Sequence, residues 1–152
     1  MHAVALDPTH VLGTADQLLV CVWRGLTTAA AMEEVARTAK RMAFESAPFA
    51  MVAIFEANAV LPGTRARREM TDLFRSIGDA VSCSAVVFEG HGYRAAAVRG
   101  MMRGLSLAAR QPFPHEVFDD VPAAATWMAE HGSPVPAALI VSQVGFLRAR
   151  VR

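Results

Sequence analysis

Three side chains that could carry out acid–base chemistry follow two apolar, strand-like runs. Glu56 comes directly after the run FAMVAIF, and Glu89 and His91 come after Val81 to Phe88. Parallel strands end at one edge of a sheet, so we expect the two carboxylates and the imidazole at one rim. General acid–base catalysis also needs hydrogen-bond reach and adjusted pKa values, which a sequence does not supply. The sequence therefore predicts a rim and assigns no catalytic residue.

The same rim contains Gly90, His91 and Gly92 ahead of a predicted helix. A helix N-terminus has unpaired N–H groups and a partial positive charge, so such a turn could hold an anion. No lysine follows and the spacing is not that of a dinucleotide-binding loop, which favours a tight strand-to-helix turn. The expected ligand-binding rim comprises Glu56, Asn58, Glu89, His91, Tyr93 and Arg94.

Metal and nucleophile chemistry have little support in the sequence. The five histidines lack the spacing that metal ligation usually shows, so we expect no metal and no cofactor. No serine lies in a G-x-S-x-G elbow. Cys21 and Cys83 lie in apolar runs, which predicts buried, reduced thiols.

Composition describes an apolar chain with little net charge. Of 152 residues, 53% are hydrophobic and 19% charged, and the net charge is +1. A net charge near zero does not attract nucleic acid electrostatically, and aromatic side chains on which bases could stack make up only 7% of the residues. No apolar run approaches the roughly 20 residues that span a bilayer, and the N-terminus lacks the basic flank of a signal peptide. We expect a cytoplasmic protein without a membrane span.

The order of elements predicts an α/β fold. After strands at Ala3 to Leu6 and Gln17 to Arg24, strands and helices alternate to residue 131. This alternation predicts a mainly parallel sheet of four or five strands with helices on its faces and an N-terminal antiparallel edge strand. We expect one domain over residues 1–132. Residues 133–152 are expected to be a linker and an amphipathic segment, with a helix favoured over a strand.

Two helical faces suggest where a partner or ligand would bind. On the predicted helix from Tyr93 to Arg110, Arg99, Arg103 and Arg110 oppose an apolar face of Val98, Met101, Met102, Leu105, Ala108 and Ala109. The arginine face is either a solvated surface or a partner site. The terminal stripe of Ile140, Val144, Leu147 and Val151 either folds back on the domain or meets a partner chain. Methionines at core-facing positions favour ordinary packing, with an apolar ligand pocket as the alternative.

The chain resembles the SpoIIAA-like, or STAS/SEC14-type, small α/β domains. The resemblance rests on the order of LLVCVWRGLTT, FAMVAIFEANAVLP, AVVFEGHGYRAAAVR and VFDDVPAAATWM across about residues 17 to 131. It implies a regulatory domain that binds proteins, or a carrier of lipids and other small ligands. The serine that is phosphorylated in one branch has no counterpart in EANAVLPGTRARR, where Thr64 is nearest, so that switch is not carried over.

Three functions follow as hypotheses. The first is a non-catalytic regulatory or adaptor domain that binds a protein partner, with a homodimer through the terminal segment as one form. The second is a carrier or sensor of a lipid or other apolar small ligand, held between the sheet and the methionine-bearing helices. The third is an enzyme that uses Glu56, Glu89 or His91.

Overall fold

The chain folds around one mixed β-sheet. The computed structural model describes the backbone of residues 1–150, and the side chains of these residues except 105–109. The strands lie side by side in chain order, with antiparallel pairing from β1 to β3 and parallel pairing from β3 to β6. Their bounds are β1 His2–Asp7, β2 His10–Ala15, β3 Leu18–Trp23, β4 Phe49–Phe55, β5 Val81–Phe88 and β6 His115–Phe118. The predicted α/β class is confirmed.

The N-terminal region holds one strand more than the sequence predicts. β2 occupies the segment that was expected to be a loop, so the sheet has six strands and two of them, β1 and β2, precede the parallel part. A tight turn joins β1 to β2, in which the Asp7 carboxylate accepts hydrogen bonds from the backbone N–H and the hydroxyl of Thr9. These hydrogen bonds lower the pKa of Asp7. Gly13 and the polar residues in and around β2 interrupt the alternation of apolar and polar residues that would predict a strand.

Capping residues set several helix boundaries. Thr28 accepts a hydrogen bond from the backbone N–H of Ala31 at the start of α1, and Asp120 accepts one from the backbone N–H of Ala123 in α4. The sequence leaves Thr27 or Thr28 open for the first cap and Asp119 or Asp120 for the second, and the later residue of each pair is the cap. Thr64, which the sequence offers as a candidate N-cap of α2, does not cap it, because Thr64 is already helical and Gly63 precedes it without a side-chain hydrogen bond. The helices are α1 Ala29–Glu45, α2 Thr64–Ile77, α3 Gly92–Ala109, α4 Val121–Glu130 and α5 Ala137–Ala149.

The sheet is covered on both faces by different helices. The strands β3 to β6 are parallel and lie side by side in chain order. Right-handed crossovers between such strands place the connecting helices α1, α2 and α3 on the same face of the sheet. Alternate residues of β3 divide accordingly: Leu19, Cys21 and Trp23 face that layer, whereas Leu18, Val20 and Val22 face α4 and α5. All six side chains are buried, as expected of a strand covered on both sides.

The C-terminal segment forms α5 and folds back on the sheet. Ile140, Val144 and Leu147 are 0%, 2% and 0% exposed and pack against the sheet beside α4. Of the two alternatives for this stripe, folding back on the domain is the one observed, and these three candidate partner-binding residues belong to the chain's own core. The fourth member, Val151, lies outside the described residues. A Cβ atom at Gly13 would lie 2.9 Å from Leu147, so a glycine in β2 allows this close approach.

No helix within residues 1–150 is both long and apolar enough to cross a membrane.

Candidate functional site

A cavity of about 440 Å³ lies between the sheet and helices α1 to α3. Its floor follows from the pairing register, which aligns residues of neighbouring strands in rows. One row runs from Leu19 through Met51 and Ser84 to His115, and the next from Cys21 through Ala53 to Val86. Side chains two apart in a strand share a face, so both rows line the same space. Trp23 and Phe55 close the floor toward the carboxyl edge.

The walls come from helices that carry methionine. Met32 of α1, Met70 of α2, and Met101 and Met102 of α3 line the cavity, together with Leu61 and Pro62 of the loop before α2. Only the C-terminal half of α2 is buried, at Leu73, Phe74 and Ile77. The N-terminal half of α2 therefore leaves space above the sheet. Methionine adapts its shape to irregular contacts, which suits the wall of a ligand site.

Polar groups lie at two ends of this apolar space. Thr64, Arg67, Arg68 and Thr71 line it from α2, Ser84 and His115 line it from the sheet, Gln111 lines it from the loop before β6, and Thr27 lines it from the segment before α1. Seven residues, or about 10 Å of helix, separate Arg67 from Phe74, whose ring lies 6.3 Å from that of His115. The arginines and the imidazole are thus at different ends.

The His115 imidazole is neutral at physiological pH. Burial lowers its pKa to about 4, and the nearby Glu116 carboxylate opposes this only in part. Among the described residues, its Nδ1 atom is buried without a hydrogen-bond partner. His115 can therefore exchange a hydrogen bond with a polar group in the cavity without supplying a charge.

The thiols of Cys21 and Cys83 are in their protonated, unreactive form. Burial raises the pKa values of Cys21 and Cys83, so both are protonated. The thiolate is the reactive form of cysteine, which makes nucleophilic chemistry at the Cys21 side of the cavity unfavourable. Within residues 1–150, no group of histidine, cysteine, aspartate or glutamate side chains could hold a metal ion.

The two carboxylates of the predicted rim are brought together by arginines. Arg148 of α5 contacts Glu89 at 2.8 Å and Glu56 at 3.5 Å, and Arg24 contacts Glu56 at 3.2 Å. Arg24 also donates a hydrogen bond to the carbonyl of Arg148. This ion network ties the end of α5 to the carboxyl edge of β3, β4 and β5. The carboxylates are therefore engaged by the fold itself.

The other rim residues do not join that network. Asn58, His91, Tyr93 and Arg94 are exposed, and no contact between His91 and either carboxylate is seen among the described residues. None of the predicted rim residues lines the cavity. The arrangement gives the acid–base hypothesis no geometric support.

The glycine turn is a strand-to-helix connection, as predicted. Gly90 and Gly92 have φ values of +143° and +85°, which favour glycine. Arg99 of α3 donates hydrogen bonds to the carbonyls of Phe88 and Gly90, both at 3.3 Å. The helix that follows thus holds the turn in place.

The predicted arginine face of α3 is largely used within the chain. Besides Arg99, Arg103 contacts Glu116 at 3.2 Å and donates a hydrogen bond to the carbonyl of Val117. Arg110 is exposed and lies after the helix, with φ +47°. Two of the three arginines thus contact this chain's own groups, and partner binding through this face stays a prediction. On the other face Val98 and Met102 are half-buried and Met101 is 50% exposed, whereas the side chains of Leu105, Ala108 and Ala109 lie outside the described residues.

Three residues that line the cavity are not among the site residues predicted from the sequence: Arg67, Arg68 and His115. A signal for the first two was present: α2 reads TRARREMTDLFRSI, in which large apolar residues are concentrated in the C-terminal half. Such a helix covers the sheet at one end only. His115 carried no comparable signal, because its place in the cavity depends on the pairing of β6 with β5.

Fold and cavity together describe an α/β protein with a ligand-sized apolar cavity under one helical layer. Comparison of the chain with protein-family models, with curated proteins and with solved structures finds no match.

Proposed function

We propose that this protein binds an apolar small molecule in the cavity under α1, α2 and α3. The observation that carries the proposal is the cavity itself, whose volume of about 440 Å³ falls in the range of small-molecule sites. Such sites combine a mostly apolar lining with a few polar groups that orient the ligand, which is the composition here. The cavity is open to solvent on one side, where the lining residues Thr64, Arg67, Arg68 and Met101 are exposed.

Binding and carriage suit this site better than catalysis. The thiol in the cavity is protonated and the imidazole is neutral, and the two rim carboxylates are paired with arginines away from the cavity. The described residues of the lining thus offer contacts and hydrogen bonds, and none of them is an activated nucleophile. A carrier or sensor needs only these contacts.

A substitution that fills the cavity tests the proposal. Ala53 lies half-buried at the centre of the cavity floor, and Ala53→Phe places a ring in the ligand's space. We expect the affinity for a neutral, polarity-sensitive fluorescent probe to fall more than tenfold, with the melting temperature of the free protein unchanged or raised. Ala66→Phe, on the α2 wall, provides an independent second variant.

The control is Ala123→Phe, the same substitution at an exposed position on α4, across the sheet from the cavity. It should leave probe affinity unchanged. The proposal fails if the native protein binds no apolar probe, or if the Ala53 and Ala66 variants bind as well as the native protein does.

A second candidate is a regulatory module that engages a protein partner, as the SpoIIAA-like resemblance implies. The sheet order favours it, since antiparallel N-terminal strands precede a parallel series. A homodimer, one form of this candidate, predicts a sedimentation coefficient that rises with protein concentration. A constant monomer value over a hundredfold concentration range would eliminate the homodimer.

A further inference from the structure

The arginines of α2 differ in how their charge is neutralised. Arg65 contacts Glu69 at 3.0 Å and Arg75 contacts Asp72 at 3.8 Å, and neither arginine lines the cavity. Arg67 and Arg68 do line it, and no ion pair joins either of them to a carboxylate in the described part of the chain. Arg67 donates a hydrogen bond only to the Thr64 hydroxyl, at 3.3 Å. Both residues are exposed, so the two guanidinium groups lie at the open side of the cavity, solvated and without a carboxylate partner among the described residues.

Guanidinium groups bind carboxylates and phosphates through paired hydrogen bonds, and more strongly than they bind neutral acceptors. Here this charge borders a floor and walls of leucine, methionine, tryptophan and phenylalanine. We propose that the ligand of the cavity is a single-chain anionic amphiphile, whose acidic head is held by Arg67 and Arg68 and whose apolar body lies on the sheet. This inference rests on the proposed function and names its ligand class.

The opposite end of the cavity fixes the direction in which such a ligand lies. Ser84 and His115 are polar but uncharged, because burial keeps the His115 imidazole neutral. Among the described residues that line the cavity at this end, none carries a positive charge. The charged head therefore lies at α2, and the tail points across the floor toward His115.

The volume limits the size of the ligand. At about 30 Å³ for each water-sized group, the cavity accommodates about fifteen non-hydrogen atoms. One turn of a peptide helix, with a diameter of about 10 Å and a rise of about 5.4 Å, would fill it completely. Lipids with two long acyl chains are also too large to be enclosed. A single chain of medium length with one head group fits.

Three ligands of equal chain length test the inference: dodecanoic acid, dodecanol and dodecyl phosphate, each titrated below its micelle concentration against a bound neutral fluorophore. We expect the native protein to bind the acid at least tenfold more tightly than the alcohol. The comparison of acid with phosphate distinguishes the two head groups. A strong preference for either anion over the alcohol supports the inference.

Matched double variants separate charge from packing. In Arg67→Gln/Arg68→Gln the preference for the anion should disappear while dodecanol affinity stays within twofold of native. Arg65→Gln/Arg75→Gln removes the same charge from the same helix, away from the cavity, and should keep the preference. Equal binding of acid and alcohol by the native protein, or an unchanged preference in the Arg67/Arg68 variant, overturns the inference alone. Failure of all three ligands and of the fluorophore to bind overturns the proposed function as well.

Discussion

The protonation of His115 makes the stability of this protein sensitive to mild acid. In the unfolded chain the imidazole titrates near its ordinary pKa of 6.5, whereas in the folded chain burial lowers that pKa to about 4. The unfolded state therefore takes up a proton first as the pH falls. At about 1.4 kcal/mol for each unit of pKa, the gap corresponds to about 3 kcal/mol, which is fully present above pH 6.5 and lost as the pH falls toward 4.

The effect is measurable by urea unfolding of the native protein and of His115→Gln, which cannot titrate. Between pH 7.5 and 4.5 we expect the free energy of unfolding to fall by about 2.5 kcal/mol more in the native protein than in the variant. Carboxylates that titrate in the same range affect both proteins and cancel in the comparison. His91→Gln, at an exposed position, should follow the native curve. Parallel curves for the native protein and His115→Gln would refute the reasoning.

Two further predictions concern the attachment of α5 to the sheet. Leu147→Ala removes a fully buried side chain and should lower the free energy of unfolding by about 2 to 5 kcal/mol, whereas Leu139→Ala, at a 39% exposed position on the same helix, should cost less than about 1 kcal/mol. Equal costs at both positions would show that α5 does not pack as described. Arg148→Met removes the partly buried contacts to Glu89 and Glu56 and should cost about 1 to 2 kcal/mol, with a smaller cost in high salt. Arg75→Met, which breaks an exposed pair, should change stability by less than about 0.5 kcal/mol; a cost equal to that of Arg148→Met would contradict the role of the network.

The two helical layers differ in how they cover the sheet. On one face Met128, Ile140 and Leu147 are all 0% exposed and fill the layer beneath α4 and α5. On the other face α2 is buried only along its C-terminal half, and the cavity lies beneath the rest. The layer of α4 and α5 is therefore closely packed against the sheet. The layer of α1 to α3 contains the cavity in which we propose that a ligand binds.

Local patterns predicted the elements that carry their own signals. Thr28 and Asp120 accept the capping hydrogen bonds expected of them, and the apolar run of β3 forms a strand buried on both faces. These features depend on residues within one turn or one strand. β2 was missed because Gly13 and the polar ends of the segment interrupt its alternation, and its identity as a strand depends on pairing with both β1 and β3.

The candidate site was less predictable than the fold. The carboxylates at Glu56 and Glu89 lie near each other as expected, but the residue that joins them, Arg148, comes from a helix some 60 residues further along the chain than Glu89. A sequence pattern does not reveal which distant cation two acidic side chains will share. The expected rim became a structural ion network, and the ligand-sized space lies elsewhere, beneath α2.

The amino-acid sequence by itself determined that this chain is an α/β protein, because apolar periods of two and of 3.6 residues and helix caps act over short distances. Only the tertiary structure decided which helix covers which face. Strands added in one direction place α1 to α3 on one face, so the other face is left to α4 and α5, and the stripe of Ile140, Val144 and Leu147 turns inward to cover it. The cavity, likewise, lies between the sheet and α1 to α3, so its shape depends on the packing of distant segments, which no local pattern encodes.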